Sequence, residues 1–300
     1  MAALVPKSIT YRLISGSRRQ EPITADKLVG MLDLAGIRRA VVLSEAFWFD
    51  SPSFDVARPQ EAVRAENDWT TEEVAKYPDR LVAFCSFNPL ADYALAELEY
   101  CANHKGFVGV KFSFIMSGVD LDDPVHVEKV REVFQAANRH SMPIVVHVRP
   151  GFWYGREQAA TFLNSLVIVA PDVPVQIAHL WGGESFSESA LKYYAEAVMA
   201  GQPATRNLYF DVAEVAFVAG GSAENMATVA RSIREIGLDR ILYGSDAALD
   251  GRLPPKEAWA LFRARVPLTD DEFHSIASNI APYLRELAAP APADRIADHR

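Results

Sequence analysis

Arg240-Ile-Leu-Tyr-Gly-Ser-Asp246 is a short apolar run that stops at a glycine and then presents an aspartate. Two other runs share its form, Pro143-Ile-Val-Val-His147 and Pro174-Val-Gln-Ile-Ala-His179. Each reads as a buried strand, and each ends on a residue able to bind a metal or move a proton. One such ending carries little weight. Three, on separate strands of one domain, point to strand ends that converge on a site.

The rest of the chain supplies the frame for these strands. Met1 to Glu21 is irregular, with Ile9, Tyr11 and Leu13 alternating with polar residues as in a short strand. Thr24 is placed to cap a helix carrying Leu28, Met31, Leu32 and Ala35 on one face, and Gly36 to end it. Strands are then expected at Arg39–Ser44, Leu81–Phe87, Val108–Phe114, Pro143–Val148, Pro174–His179, Asn207–Val212 and Arg240–Ser245. Helical patterns separate them at Ala62–Tyr77, Tyr93–Asn103, Pro124–His140, Glu157–Val169, Ser187–Ala200 and Ala223–Ile236. Helices from Pro255 and Thr269 close the domain. An alternation of this kind implies parallel strands with right-handed crossovers. The strands are near-continuous apolar runs, as when both faces are buried.

Two folds compete, an open doubly wound sheet and a closed (β/α)8 TIM barrel. No GxGxxG follows the first strand, which weakens the dinucleotide-binding form of the open sheet. Seven clear strands and a vague eighth near the N-terminus favour the barrel, with its first strand incomplete or missing. The expected domains are an irregular segment over 1–21, the barrel over 22–288, and an Ala- and Pro-rich disordered tail over 289–300. A barrel builds its site at the C-terminal ends of its strands, which is where His147, His179 and Asp246 fall.

Composition excludes several classes of function. The 300 residues include 30 basic and 39 acidic ones, a formal net charge of −9, with no basic block. Nucleic acid and anionic membrane surfaces are therefore not expected partners. No apolar run approaches the ~18–20 residues of a membrane span, and no signal peptide precedes the domain, so a cytoplasmic location is expected. Cys85 and Cys101 lack CxxC spacing and read as two buried thiols.

Each candidate has an ordinary reading beside the chemical one. A lone histidine at a strand end is more often a core residue bonded to a neighbour. His179 repeats the geometry of His147 one unit later, which makes coincidence a poorer account. Asp246 by itself could be a helix cap or turn residue. Together, two imidazoles and a carboxylate begin a zinc-type site with an open position for water, and Asp246 is suited to act as its general base. Lys111 on the fourth expected strand reads as a partner for a site carboxylate or an anionic substrate. Arg149 is either a bidentate clamp for a substrate carboxylate or a surface residue. Asp211 and Glu214 are pocket residues or helix caps. Trp48, Trp153, Tyr154 and Trp181 all follow strands and either line an aromatic pocket or pack. Gly182-Gly183 resembles an anion-binding turn.

The segments GVKFSF, PIVVHV, VQIAHLWGG, ILYGSDAA and SNIAPYL, in that order and spacing over roughly Pro22 to Leu287, resemble the amidohydrolase superfamily. The likeness is to its amidohydrolase-2 branch of metal-dependent TIM-barrel hydrolases. The resemblance implies that His147 is a metal ligand. It makes His179 a ligand or a hydrogen-bond partner of metal-bound water, and Asp246 the ligand and general base. It also implies a divalent metal, zinc first and manganese second, and a homodimer. One departure stands out. The family carries a His-X-His pair on its first strand, and here no histidine precedes His104. Either that strand is encoded upstream of Met1, or the domain has lost its metal. The expected activity is hydrolysis of an amide, ester or lactone bond in a small organic substrate. The alternatives are a non-oxidative decarboxylase of the same superfamily, with Arg149 holding a carboxylated substrate, and a catalytically inactive barrel that binds or supports.

Overall fold

The computed structural model describes residues 23–149, 153–183, 185–218, 222–247 and 253–285. The expected strand at Ile9–Leu13 and the domain boundaries at 21 and 289 lie outside these residues. Seven parallel strands form one sheet in chain order: β1 Ala40–Leu43, β2 Leu81–Ser86, β3 Phe107–Ser113, β4 Ile144–His147, β5 Val175–Ile177, β6 Leu208–Asp211 and β7 Ile241–Leu242. All six neighbouring pairs are parallel, with Lys111 opposite Val145 and Ser113 opposite His147. The architecture is a TIM-barrel fold. Among the described residues no strand joins β7 back to β1.

The longer helices are α1 Ala25–Ala35, α2 Pro59–Val74, α3 Ala94–Asn103, α4 Pro124–Arg139, α5 Arg156–Thr161, α6 Glu188–Met199, α7 Ala223–Ile236, α8 Pro255–Arg265 and α9 Asp270–Ser278. Their ends follow from local chemistry. Thr24 accepts the Lys27 N–H at the start of α1, and Gly36 ends that helix with φ 69°. Asp123 caps α4 through the Val125 N–H, and Pro124 takes the first turn, where no N–H is needed. The strands are apolar on both faces because the barrel interior lies on one side and the helices on the other. All six residues of β2 and all four of β4 are buried.

Four expectations are corrected. The segment read as helix over Glu157–Val169 changes pitch: α5 passes into a π-helical turn at Phe162–Leu166 and a 3-10 turn at Val167–Val169. The strand read as Arg240–Ser245 is only two residues long. Arg240 instead ends a 3-10 turn, where its guanidinium donates to the carbonyls of Thr205 (2.7 Å) and Leu208 (3.0 Å). The strand read through His179 stops at Ile177, because His179 and Leu180 adopt left-handed backbone. Finally, Cys85 and Cys101 are not two thiols but one disulfide. It joins β2 to α3, the helix that follows it, across a Cα–Cα distance of 6.3 Å. A strand-to-helix bridge of this kind leaves no short-range spacing motif in the sequence.

Candidate metal centre

The ends of β4, β5, β6 and β7 bring four metal-binding side chains together. His147 is the last residue of β4 and is buried. His179 follows β5 in the helical turn His179–Gly182, also buried. Their rings meet edge to face with centroids 5.0 Å apart. Glu214 lies three residues past β6, and Asp246 four past β7. Ligand atoms from His179, Glu214 and Asp246 all lie within 4.8 Å of one another. Glu214 was read from sequence only as a pocket residue or cap; here it supplies the third carboxylate-or-imidazole arm of the cluster.

The three clustered residues share an uncommon backbone. His179 has φ 57°, Glu214 φ 56° and Asp246 φ 51°. Left-handed geometry is disfavoured for non-glycine residues and collects at functional sites. Here it turns the chain sharply after each strand, so that each side chain projects across the barrel mouth. Neighbouring bonds hold these turns. The Asp211 carboxylate, at the end of β6, accepts the His179 N–H (3.0 Å) and the Ala213 N–H (3.1 Å). The Ala213 carbonyl in turn lies 3.0 Å from Nδ1 of His179. A carbonyl can only accept, so Nδ1 carries the proton and Nε2 keeps a lone pair.

Charge is concentrated beside the cluster. Lys111, buried in β3, has its pKa lowered by burial, while Asp211, Asp246 and Glu45 act to hold its proton on. Glu45, two residues past β1, has its carboxyl pKa raised by burial and by the charge of Asp246. Trp48 Nε1 donates to Glu45 Oε2 at 2.6 Å. The sequence reading missed Glu45, which sits after a strand that ends on serine rather than on a histidine or aspartate.

The remaining candidates separate. Arg149 follows β4; its Nη1 donates to the Ser185 carbonyl (2.8 Å) and its backbone N–H to that of Gly182 (2.8 Å). The two loops after β4 and β5 are thereby tied together. Gly182 has φ 99°, and a Cβ on Gly183 would lie 2.6 Å from Nε2 of His147. The Gly-Gly pair is therefore a space requirement beside the imidazole. Trp48 packs against Phe54 and, through its indole N–H, against Glu45. Trp181 is fully buried against Phe186, Tyr154 is buried with its hydroxyl on that of Tyr194, and Trp153 is 77% exposed. An open cleft of about 510 Å³ does border the cluster, but it is lined by Glu214, Phe217, Tyr243, Leu261 and neighbours rather than by these tryptophans.

The sequence profile of the amidohydrolase family Amidohydro_2 matches residues 38–296. The chain belongs to this family. Among its relatives, a gamma-resorcylate decarboxylase of Polaromonas sp. (strain JS666 / ATCC BAA-500) is 24% identical over 253 residues, 74% of this chain and 76% of that one. Among solved structures, a 2,6-dihydroxybenzoate decarboxylase in complex with 2,6-dihydroxybenzoate superposes with TM-score 0.60 at 21% identity, over 87% of each chain. A dihydroxybenzoic acid decarboxylase of Polaromonas sp. JS666, with bound manganese and 2-nitroresorcinol, gives TM-score 0.54 at 19% identity, over 84% of this chain and 82% of that one. At these identities the structural likeness concerns the fold. Within it, the amidohydrolase barrel accounts for the placement of His147, His179 and Asp246 at strand ends. No helix among the described residues is long and apolar enough to cross a membrane.

Proposed function

We propose that this amidohydrolase is a metal-dependent, non-oxidative decarboxylase of a hydroxylated aromatic acid. The observation that carries the reading is the convergence of His179, Glu214 and Asp246 within 4.8 Å beside His147. The decarboxylase relatives favour this reaction over the hydrolysis expected from sequence. The donor set fits a divalent cation: one imidazole with a lone pair on Nε2, two carboxylates, and a second imidazole in contact with the first. A set rich in carboxylate suits a harder ion than a thiolate or all-histidine set does, so manganese is proposed ahead of zinc. When bound, the cation would supply Lewis acidity to a substrate carboxylate or phenolate oxygen.

The chain's own groups would do the rest. Lys111 and Arg149 contribute positive charge to the mouth and would hold the anionic substrate. Asp246 is the proposed proton-handling residue. The bond between the ring carbon and the carboxylate carbon breaks, its electron pair stays on the ring carbon, and a proton from the Asp246 carboxyl takes its place. Carbon dioxide leaves, and the Asp246 carboxylate regains a proton from solvent. No oxidant or reductant is needed.

The test is a screen of manganese-loaded protein with hydroxybenzoates, following CO₂, in parallel with lactone, ester and amide substrates. Release of CO₂ that is lost on chelation supports the reading. Hydrolysis without CO₂ release restores the hydrolase reading. No turnover of either kind, with no metal retained, favours the inactive barrel. A small-molecule substrate and a homodimer are proposed alongside; light scattering of the full chain checks the dimer.

A further inference from the structure

Asp211 is the last residue of β6 and is buried. Its two oxygens receive three hydrogen bonds. Oδ1 accepts the backbone N–H groups of His179 (3.0 Å) and Ala213 (3.1 Å), and Oδ2 accepts Gln176 Nε2 (2.7 Å). Gln176 lies in β5, and its Oε1 accepts the Tyr283 hydroxyl at 2.6 Å. Tyr283 sits in the short C-terminal helix Pro282–Arg285, with its ring against Phe84 of β2 at 5.0 Å between centroids. A hydrogen-bonded chain thus runs from the C-terminal segment through β5 and β6 to the turn that carries His179.

A carboxylate that already takes three donors is poorly placed to serve as a ligand. It is well placed to hold two turns together, because one oxygen binds both His179 and Ala213. That clamp brings the Ala213 carbonyl to 3.0 Å from Nδ1 of His179. We infer that Asp211, supported by Gln176 and Tyr283, is the positioning residue that selects the tautomer of His179 and fixes its left-handed turn. The inference rests on the reading above only in taking His179 as a member of the metal centre. A charge-assisted bond to the His179 N–H offsets part of the cost of the disfavoured backbone. Without it the turn relaxes towards ordinary φ, the Ala213 carbonyl loses its register, and the proton is no longer confined to Nδ1. Groups that orient a ligating histidine through its second nitrogen set both its basicity and its aim.

Substitutions at Asp211 separate hydrogen bonding from mere bulk. In Asp211→Asn, the amide oxygen can still accept both backbone N–H groups. Its NH₂ can donate to Gln176 once that amide turns over, and Gln176 can then donate to the Tyr283 oxygen. Asp211→Leu keeps comparable volume and none of these bonds.

The experiment measures Mn²⁺ affinity of the full chain from the free-ion EPR signal. It also records the ¹⁵N shifts of the His179 imidazole in metal-free protein, assigned by their absence from His179→Gln. Asp211→Asn is expected to stay within about threefold of the parent affinity. Asp211→Leu and Gln176→Leu are expected to weaken binding about 10- to 100-fold, and Tyr283→Phe several-fold. The Nδ1-protonated pattern should persist in Asp211→Asn and become a tautomer mixture in Gln176→Leu. Should Asp211→Leu fail to fold, Gln176→Leu and Tyr283→Phe carry the test. Parental affinity and parental ¹⁵N shifts in both of those variants would overturn the inference, as would an Asp211→Asn protein no better than Asp211→Leu. Neither readout uses an organic substrate. Failure of the decarboxylase reading would appear separately, as absence of CO₂ from the parent protein.

Discussion

Gly183 shows how tightly the metal centre is packed. Its φ of 170° is ordinary extended backbone, so substitution there is limited by space alone, and a Cβ would sit 2.6 Å from Nε2 of His147. Gly183→Ala should therefore displace the imidazole while leaving the fold intact. The expected result is at least a tenfold loss of metal affinity with an unchanged circular dichroism spectrum. His147→Ala and Asp246→Asn should abolish CO₂ release, and calorimetric Mn²⁺ titration should show weakened binding in both. At this scale the sequence was informative wherever a donor stands directly after an apolar run, as at His147, His179 and Asp246. Glu214 and Glu45 escaped because each lies two or three residues beyond its strand, in a turn whose direction no periodicity reveals. The left-handed backbone at Glu214 is what returns that side chain to the mouth.

Among the elements, α9 illustrates a stabilising device independent of the site. Thr269 and Glu272 form a reciprocal capping box, and Arg234 of α7 grips the same carboxylate through Nε (2.6 Å) and Nη2 (2.9 Å). These bonds, the Arg234 pair first, lower the Glu272 pKa from 4.5 to about 2. A carboxyl with a depressed folded-state pKa stabilises the fold above its unfolded pKa, and that contribution fades as pH falls. Glu272→Gln should cost roughly 1–2 kcal/mol at neutral pH. The gap to the parent protein should close between about pH 4.5 and pH 2, as read by urea unfolding across that window. In β3, a Cβ on Gly109 would lie 2.5 Å from the Phe84 ring and 2.7 Å from the Pro143 carbonyl oxygen. Gly109→Ala should destabilise by about 1–3 kcal/mol through overpacking, measured in the same way. The central strands were legible because continuous burial writes a continuous apolar run. β7 was overread, since Tyr243 extends the apolar pattern although its hydroxyl turns to the Pro255 carbonyl. The break in helix geometry after α5 was hidden for a related reason: α, π and 3-10 turns bury much the same residues.

For the whole molecule, the Cys85–Cys101 disulfide closes a loop of 16 residues between a barrel strand and its helix. Restricting the unfolded chain over that span is worth about 3 kcal/mol. Reduction with a thiol, or Cys101→Ser, should lower the unfolding free energy by about that amount without altering Mn²⁺ affinity, because neither cysteine approaches the cluster residues in sequence or in the sheet. The barrel as a class was readable from the order of its strands. Its rim was not, since the mouth is built by turns. The same turns set the molecule's stability against its chemistry. His179, Glu214 and Asp246 each occupy a conformation that glycine adopts freely and other residues resist. Glu214→Gly and Asp246→Gly should therefore raise the melting temperature modestly, by up to about 1 kcal/mol in stability each, while removing the metal. A selection for heat resistance alone would accumulate glycines at these positions and return a sturdier barrel with nothing left in its mouth.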